Sequence, residues 1–247
     1  MKAKARVGRA RRAFLLTCEH GGNQIPEPYR QLFATASARR ALETHRGYDL
    51  GALRMAKALA QRFGVELFAS ETSRLLVDLN RSLGHPRLFS EFSAPLDPTA
   101  RQVVLDRYYW PHRQRVERAV AEHRRSGVVH IAVHSFTPEL NGEVRRAEVG
   151  LLYDPASSGE RRFSERWQQI LAERTNELRV RRNYPYRGTS DGFPPYLRER
   201  FGITSYWGIE LETNQACLVG KPARAAATLA TLSDSLAELI EELCTSG

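Results

Sequence analysis

The chain has 247 residues, 42% of them hydrophobic and 26% charged, the profile of an ordinary soluble globular protein with ample length for one α/β core. No apolar run approaches the roughly 20 residues needed to cross a bilayer, and the basic opening segment lacks a secretory cleavage site, so a cytoplasmic protein is expected. The formal charge of +9 is concentrated in Lys2, Lys4, Arg6, Arg9, Arg11 and Arg12; without these six the rest of the chain carries only +3, which argues against nucleic acid as the main partner.

In chain order, residues 1–12 form a basic tail expected to be solvated and disordered, ahead of a single domain over 13–247. Candidate strands follow at Phe14–Cys18, Val65–Ala69, Leu75–Leu79, Val128–His134, Val149–Tyr153, Leu178–Arg182 and Ser205–Glu212. Helices are expected over Asp49–Phe63, over Thr99–Arg125 with a kink or restart at Pro111, over Ser164–Glu177, and from Pro222 onward. The last carries Leu229, Leu232, Leu236, Leu239, Ile240 and Leu243 as a core stripe. Strands alternating with helices imply a single α/β domain with a mostly parallel, mixed central sheet flanked by helices. Two long Pro- and Ser-rich loops, 80–99 and 184–196, are of the kind that cover binding sites. Cys18, Cys217 and Cys244 are odd in number and lack CxxC spacing, which argues against disulfides and a cysteine zinc cluster.

In parallel sheets ligands bind outside the carboxyl ends of the strands, so the residues there are the candidates. The first strand ends in "TCEHGGNQIP", delivering Glu19 and His20, with two glycines to let the backbone turn sharply and pass close to a ligand. "RLLVDLNR" supplies Arg74, Asp78, Asn80 and Arg81; "VVHIAVHSF" supplies His134 and Ser135; "WGIELETN" supplies Glu210 and Glu212. His45 and Asp49 stand at i and i+4 at a helix start. Histidines and carboxylates gathered this way suit a catalytic zinc site with one open position, a nearby carboxylate serving as general base. Arg74, Asn80 and Arg81 suit a clamp on a substrate carboxylate. The remaining histidines, His85, His112, His123 and His130, are read as hydrogen-bonded surface or core residues. Ser135 lacks the G-x-S-x-G elbow of a serine hydrolase.

The stretches "CEHGGNQIP", "HRGYDLGA", "SRLLVDLNR", "WPH", "HSFTP", "VGLLYD", "NYPY" and "IELETN", in this order over nearly the whole chain, resemble the N-formylglutamate amidohydrolase family. That family looks related to the zinc carboxypeptidase and aspartoacylase group. The resemblance implies a metal-dependent hydrolase of an N-acyl amino acid, with zinc as the expected ion. It implies His20 and His134 as metal ligands, with Asp49 as the third and Glu19 and His45 as alternatives. It further implies Glu210 as general base and Asn80, Arg81 and Arg74 as the carboxylate clamp. The chain departs from the family in having Glu19 where Asp is commoner, and Leu211-Glu212-Thr213-Asn214 after Glu210 where isoleucine, arginine, glutamine and aspartate are usual. The competing reading is a non-catalytic binding module on the same scaffold whose basic tail contacts nucleic acid.

Overall fold

Six short stretches, most of them apolar, pair into one sheet in the computed structural model, which describes residues 12–245. The sheet strands are β1 (Ala13–Cys18), β2 (Leu67–Ala69), β3 (Val128–Phe136), β6 (Val149–Leu152), β7 (Val180–Arg182) and β8 (Tyr206–Asn214), in the order β2-β1-β3-β8-β6-β7. β2, β1, β3 and β8 run parallel; β6 is antiparallel to β8 and parallel to β7, so the sheet is mixed. β4 (Glu139–Leu140) and β5 (Glu143–Val144) form a separate hairpin turned by Asn141 and Gly142, both at positive φ. Asn-Gly is the dipeptide such tight turns favour.

The helices are α1 (Ala36–Leu42), α2 (Ala52–Phe63), α3 (Pro98–Val104), α4 (Trp110–Glu122), α5 (Ser158–Arg174), α6 (Phe193–Phe201), α7 (Gln215–Leu218) and α8 (Pro222–Thr245). One face of the sheet packs on α2, α5 and α8 through Leu16, Met55, Leu59, Trp167, Leu232 and Leu236. The other face packs on α4 and α6 through Leu15, Val116, Val120, Phe193 and Leu197. Burial on both faces is what the near-continuous apolar strands require. Leu243, at the end of the α8 stripe, lies outside this core and is exposed.

The expected strand Leu75–Leu79 does not form. Its apolar side chains enter a third cluster with Tyr29, Phe33, Leu88, Val104 and Tyr109, away from the sheet. Loop groups take the place of a ladder: the Asp78 amide donates to Leu88 O at 2.9 Å and the Ser93 hydroxyl to Leu75 O at 2.9 Å. Apolar runs of five residues satisfy a buried loop as readily as a strand once such partners exist. At Pro111 a new helix starts, as expected: α4 begins at Trp110 with the proline in its first turn, although the chain stays helical across the junction. A π-helical turn, Leu105–Tyr109, joins α3 to α4 and accommodates the proline's missing donor and ring. Arg12, the last residue of the expected tail, stacks on the Trp207 indole at 3.7 Å and donates to Thr204 O at 2.7 Å. Residues 1–11 of that tail lie outside the described residues. Among the described residues no helix is long and apolar enough to cross a membrane, and all three cysteines are free thiols.

His130, in the middle of β3, is a core residue of the ordinary kind, bonded to the Thr17 hydroxyl at 2.8 Å and the Tyr206 hydroxyl at 2.5 Å. Burial pushes its pKa down from 6.5 to about 4. The unfolded chain therefore takes up a proton that the folded chain refuses as pH falls through this window. Stability is complete above about pH 6.5 and declines toward pH 4 by up to about 3 kcal/mol. Urea unfolding across that range is expected to show the decline, and to show less of it in His130→Gln.

Candidate metal centre and catalytic cavity

The chain passes from β1 to β2 on one side and later to β3 on the other, so the carboxyl ends of β1 and β3 flank a crevice where the strand order reverses. His20 leaves β1 at this point and His134 reaches it near the end of β3. Asp49, just before α2, completes the group: its amide donates to His20 O at 2.9 Å, which pins the carboxylate between the two imidazoles. The Nδ1 atoms of His20 and His134 lie 3.4 and 2.8 Å from the same Asp49 oxygen, Oδ2. One donor atom from each of His20, Asp49 and His134 lies within 4.8 Å of the others, and all three side chains are buried.

Behind each imidazole stands a second carboxylate. His20 Nε2 meets Asp78 Oδ1 at 2.7 Å, and His134 Nε2 lies 3.2 Å from Glu19 Oε2. Glu19 also faces His112 Nε2 at 3.6 Å, so His112 belongs to this cluster rather than to the bland surface set. Carboxylates on the far nitrogens fix the ring orientation and tautomer and leave both Nδ1 atoms turned to one point, as metal-binding histidines require. Of the two alternatives for the third position, Glu19 lies on the outer side of His134, and His45 is exposed and outside the group. The pairing of His45 with Asp49 on a helix is not realised, because α2 begins only at Ala52 and both residues precede it.

The glycines after His20 serve packing. A Cβ at Gly21 would stand 2.8 Å from Ser70 O, and one at Gly22 2.5 Å from Glu71 O. Neither has a left-handed φ; they let the backbone beyond β1 lie against residues 70–71.

Asp78 is the hub of the charged network. Besides His20 it accepts from Arg74 Nη2 at 2.9 Å and from the Asn80 amide at 3.0 Å, and Arg81 Nε stands 3.9 Å away. Arg74 also reaches Asp49 Oδ1 at 3.4 Å. Burial alone would raise the pKa values of Asp49 and Asp78; His20 and His134 on the first and Arg74 and His20 on the second outweigh it and hold both carboxyls well below the usual range. Burial likewise opposes the charged form of His134, yet Asp49 and Glu19 raise its pKa well above the ordinary value. Replacing Asp78 by Asn should lower metal affinity about 10–100-fold, the usual cost of losing a carboxylate behind a ligand histidine. Competition with a chromogenic chelator measures this, and unchanged affinity would remove Asp78 from the supporting shell.

These residues open on a cavity of about 850 Å³ that also takes in Arg81, Asn80, Glu210 and Glu212. Both long loops line it, through Arg87 and Phe89 from one and Tyr186 and Asp191 from the other. The loops are tied together by Arg81 Nη1 donating to Asp191 O at 2.8 Å and the Ser82 amide to Asp191 Oδ2 at 3.1 Å. Asn80 spends its carbonyl oxygen on the Phe193 amide at 2.6 Å, and its amide group lowers the Glu210 pKa. Burial raises the Glu210 pKa overall and that of Glu212 to about 8. Glu212 carried no assigned role, although two acids at i and i+2 of one strand must share a face. The Ser135 hydroxyl donates to Leu50 O at 2.9 Å and is not held by an imidazole, so it lacks the activation a nucleophilic serine needs.

The family model of the N-formylglutamate amidohydrolases matches residues 12–219. The chain belongs to that family. Among solved structures, it is similar to the gene product Atu2144 from Agrobacterium tumefaciens, with 29% identity over 96% of this chain and 92% of that one and a TM-score of 0.76. It is similar at a much lower level to a metallo-carboxypeptidase from Pseudomonas aeruginosa (15% identity, 97% of this chain and 60% of that one, TM-score 0.42). A metallo-carboxypeptidase from Burkholderia cenocepacia compares alike (11% identity, 95% and 58%, TM-score 0.43). No curated protein matches the chain. Membership in the family makes this chain an amidohydrolase-type protein, and its buried His/Asp/His group is suited to a metal ion.

Proposed function

We propose that the protein is a zinc-dependent amidohydrolase that cleaves the amide bond of an N-formyl-type N-acyl amino acid. The observation that carries this reading is the convergence of His20, Asp49 and His134, with Asp78 and Glu19 seated behind the two imidazoles, in a cavity that also holds Glu210. His20 Nδ1 is buried without a hydrogen-bond partner, a cost the fold accepts where a ligand is to complete the site. Two imidazoles and one carboxylate are a donor set zinc favours, with a position left open. Bound there, the ion would supply Lewis acidity, which makes water acidic near neutral pH and polarises a carbonyl oxygen.

The side chains do the rest. Glu210 takes a proton from the attacking water and delivers it to the amide nitrogen as the C–N bond breaks, so that water's hydroxyl ends on the acyl carbon. Its raised pKa brings it nearer the working range of a general base. Arg81 and the Asn80 amide hold the α-carboxylate, while Arg74 adds positive charge from its seat between Asp49 and Asp78. The substrate is a small molecule, and the cavity volume of about 850 Å³ is of the size that admits one.

The test is hydrolysis of a panel of N-formyl, N-acetyl and N-succinyl amino acids, before and after dialysis against a chelator and after return of zinc. Activity that vanishes and returns supports the proposal. Activity indifferent to chelation would overturn the metal dependence, and no hydrolysis with a strongly salt-dependent nucleic-acid affinity would favour the binding-module reading.

A further inference from the structure

Buried carboxyl groups in this fold are consistently partnered. Glu160 accepts from Arg198 at 2.9 and 3.0 Å and from the Gly208 amide at 2.9 Å, and Asp49 and Asp78 are each held by an imidazole and Arg74. Glu19 makes no hydrogen bond but faces the His134 and His112 imidazoles at 3.2 and 3.6 Å, whereas Glu212 has no such ion pair among the described residues. Glu212 stands on β8 opposite His134 of β3 and Gly150 of β6, its side chain is buried, and Oε2 is enclosed with no hydrogen-bond partner. Thr137, just beyond β3, has a buried hydroxyl in the same condition. Both residues line the cavity. A buried acceptor left without a donor costs on the order of 1–3 kcal/mol, and a site meant to receive a donor is where such a cost persists.

We infer that Glu212 is a specificity-determining residue: its carboxyl group accepts a hydrogen bond from an N–H donor on the substrate side chain. This rests on the proposed amidohydrolase function and names its substrate class, N-acyl amino acids whose side chain ends in an amide or a cationic nitrogen. A side-chain carboxylate brought to the same place would have to share a single proton with Glu212 or face it as a second buried negative charge, and a purely apolar one would leave Oε2 unpaired, which buried polar sites reject strongly. The cavity's exposed arginines, Arg46, Arg87 and Arg187, stand on the loops around its rim, whereas Glu212 is set in the central strand ladder.

The experiment is a kcat/KM comparison of N-formylglutamine, N-formylarginine, N-formylglutamate and N-formylleucine on wild type, Glu212→Gln and Glu212→Arg. Wild type should favour a donor-bearing substrate over N-formylglutamate at least about tenfold, chiefly through KM, and Glu212→Arg should invert that ratio. The glutamine and arginine arms tell whether the donor is neutral or cationic. Preference of wild type for N-formylglutamate, or ratios equal in all three proteins, would overturn the inference. Should no N-formyl amino acid be hydrolysed, the functional proposal fails by itself. Calorimetric binding of free glutamine, arginine and glutamate to the same proteins still decides the role of Glu212, and equal affinities would overturn it.

Discussion

His134→Ala protein should purify without stoichiometric zinc and lose at least about 10³-fold in kcat/KM, the scale set by removing several kcal/mol of Lewis-acid assistance. The size of the effect follows from how much of the centre this one side chain joins. His134 Nδ1 meets Asp49 at 2.8 Å and Nε2 faces Glu19 at 3.2 Å, so its loss removes one donor and releases two carboxylates. Metal analysis of the purified variant checks the first half and steady-state kinetics the second. The β3 backbone is paired to β8 over Val128–Phe136 and to β1 over Val128–Ala132, so the far-ultraviolet circular dichroism should remain that of wild type. His20→Ala provides an independent variant from a different strand, and it should fail in the same way. Full metal content in both would mean that the group at Asp49 is an ion-pair network and not a metal centre.

The second large effect separates chemistry from metal binding. Glu210→Gln should keep its zinc and lose about 10²–10⁴ in kcat, the contribution typical of a positioned general base. Glu210 lies outside the His/Asp/His group, and glutamine preserves its shape beside the Asn80 amide. The pH profile supplies a further readout. A base must be unprotonated to work, so wild-type activity should rise with pH through the Glu210 titration. Burial raises that pKa, which moves the acid limb toward neutrality. The limb should disappear in Glu210→Gln. A variant that keeps both its rate and its acid limb would transfer the role of base to another group, with Glu212, two residues along the same strand face, the first to examine.

Much of the fold follows from local pattern. Strands such as Val128–Phe136 are apolar and β-branched runs broken only by His130, His134 and Ser135, and helices such as α8 carry a stripe at spacings of three and four; both patterns are properties of a short window of chain. Hence six of seven expected strands formed, and the mixed parallel sheet followed from their alternation with helices. Leu75–Leu79 misled because hydrophobicity records burial, not the partner that provides it, and here loop carbonyls and serine hydroxyls stand where a neighbouring strand would be. The hairpin at Asn141-Gly142 was not among the expected elements although its dipeptide is a turn signal, and α6 was hidden by the prolines that begin it.

The sequence by itself determined which side chains could do chemistry: His20 and His134 fall at or near the carboxyl ends of β1 and β3, which share one edge, and Glu210 lies on β8 beside β3. Tertiary structure alone decided their division of labour. Asp49 and His45 are four residues apart, yet the Asp49 amide bond to His20 O buries one beside the imidazoles and leaves the other at the surface. Glu19 adjoins His20 in the chain but stands behind His134, because successive residues leaving a strand point to opposite sides. Asp78 became the hub only when a segment expected to be a strand turned its carboxylate toward His20, 58 residues away. Distances of a few ångströms between residues remote in sequence depend on register and packing, and no local window contains that information.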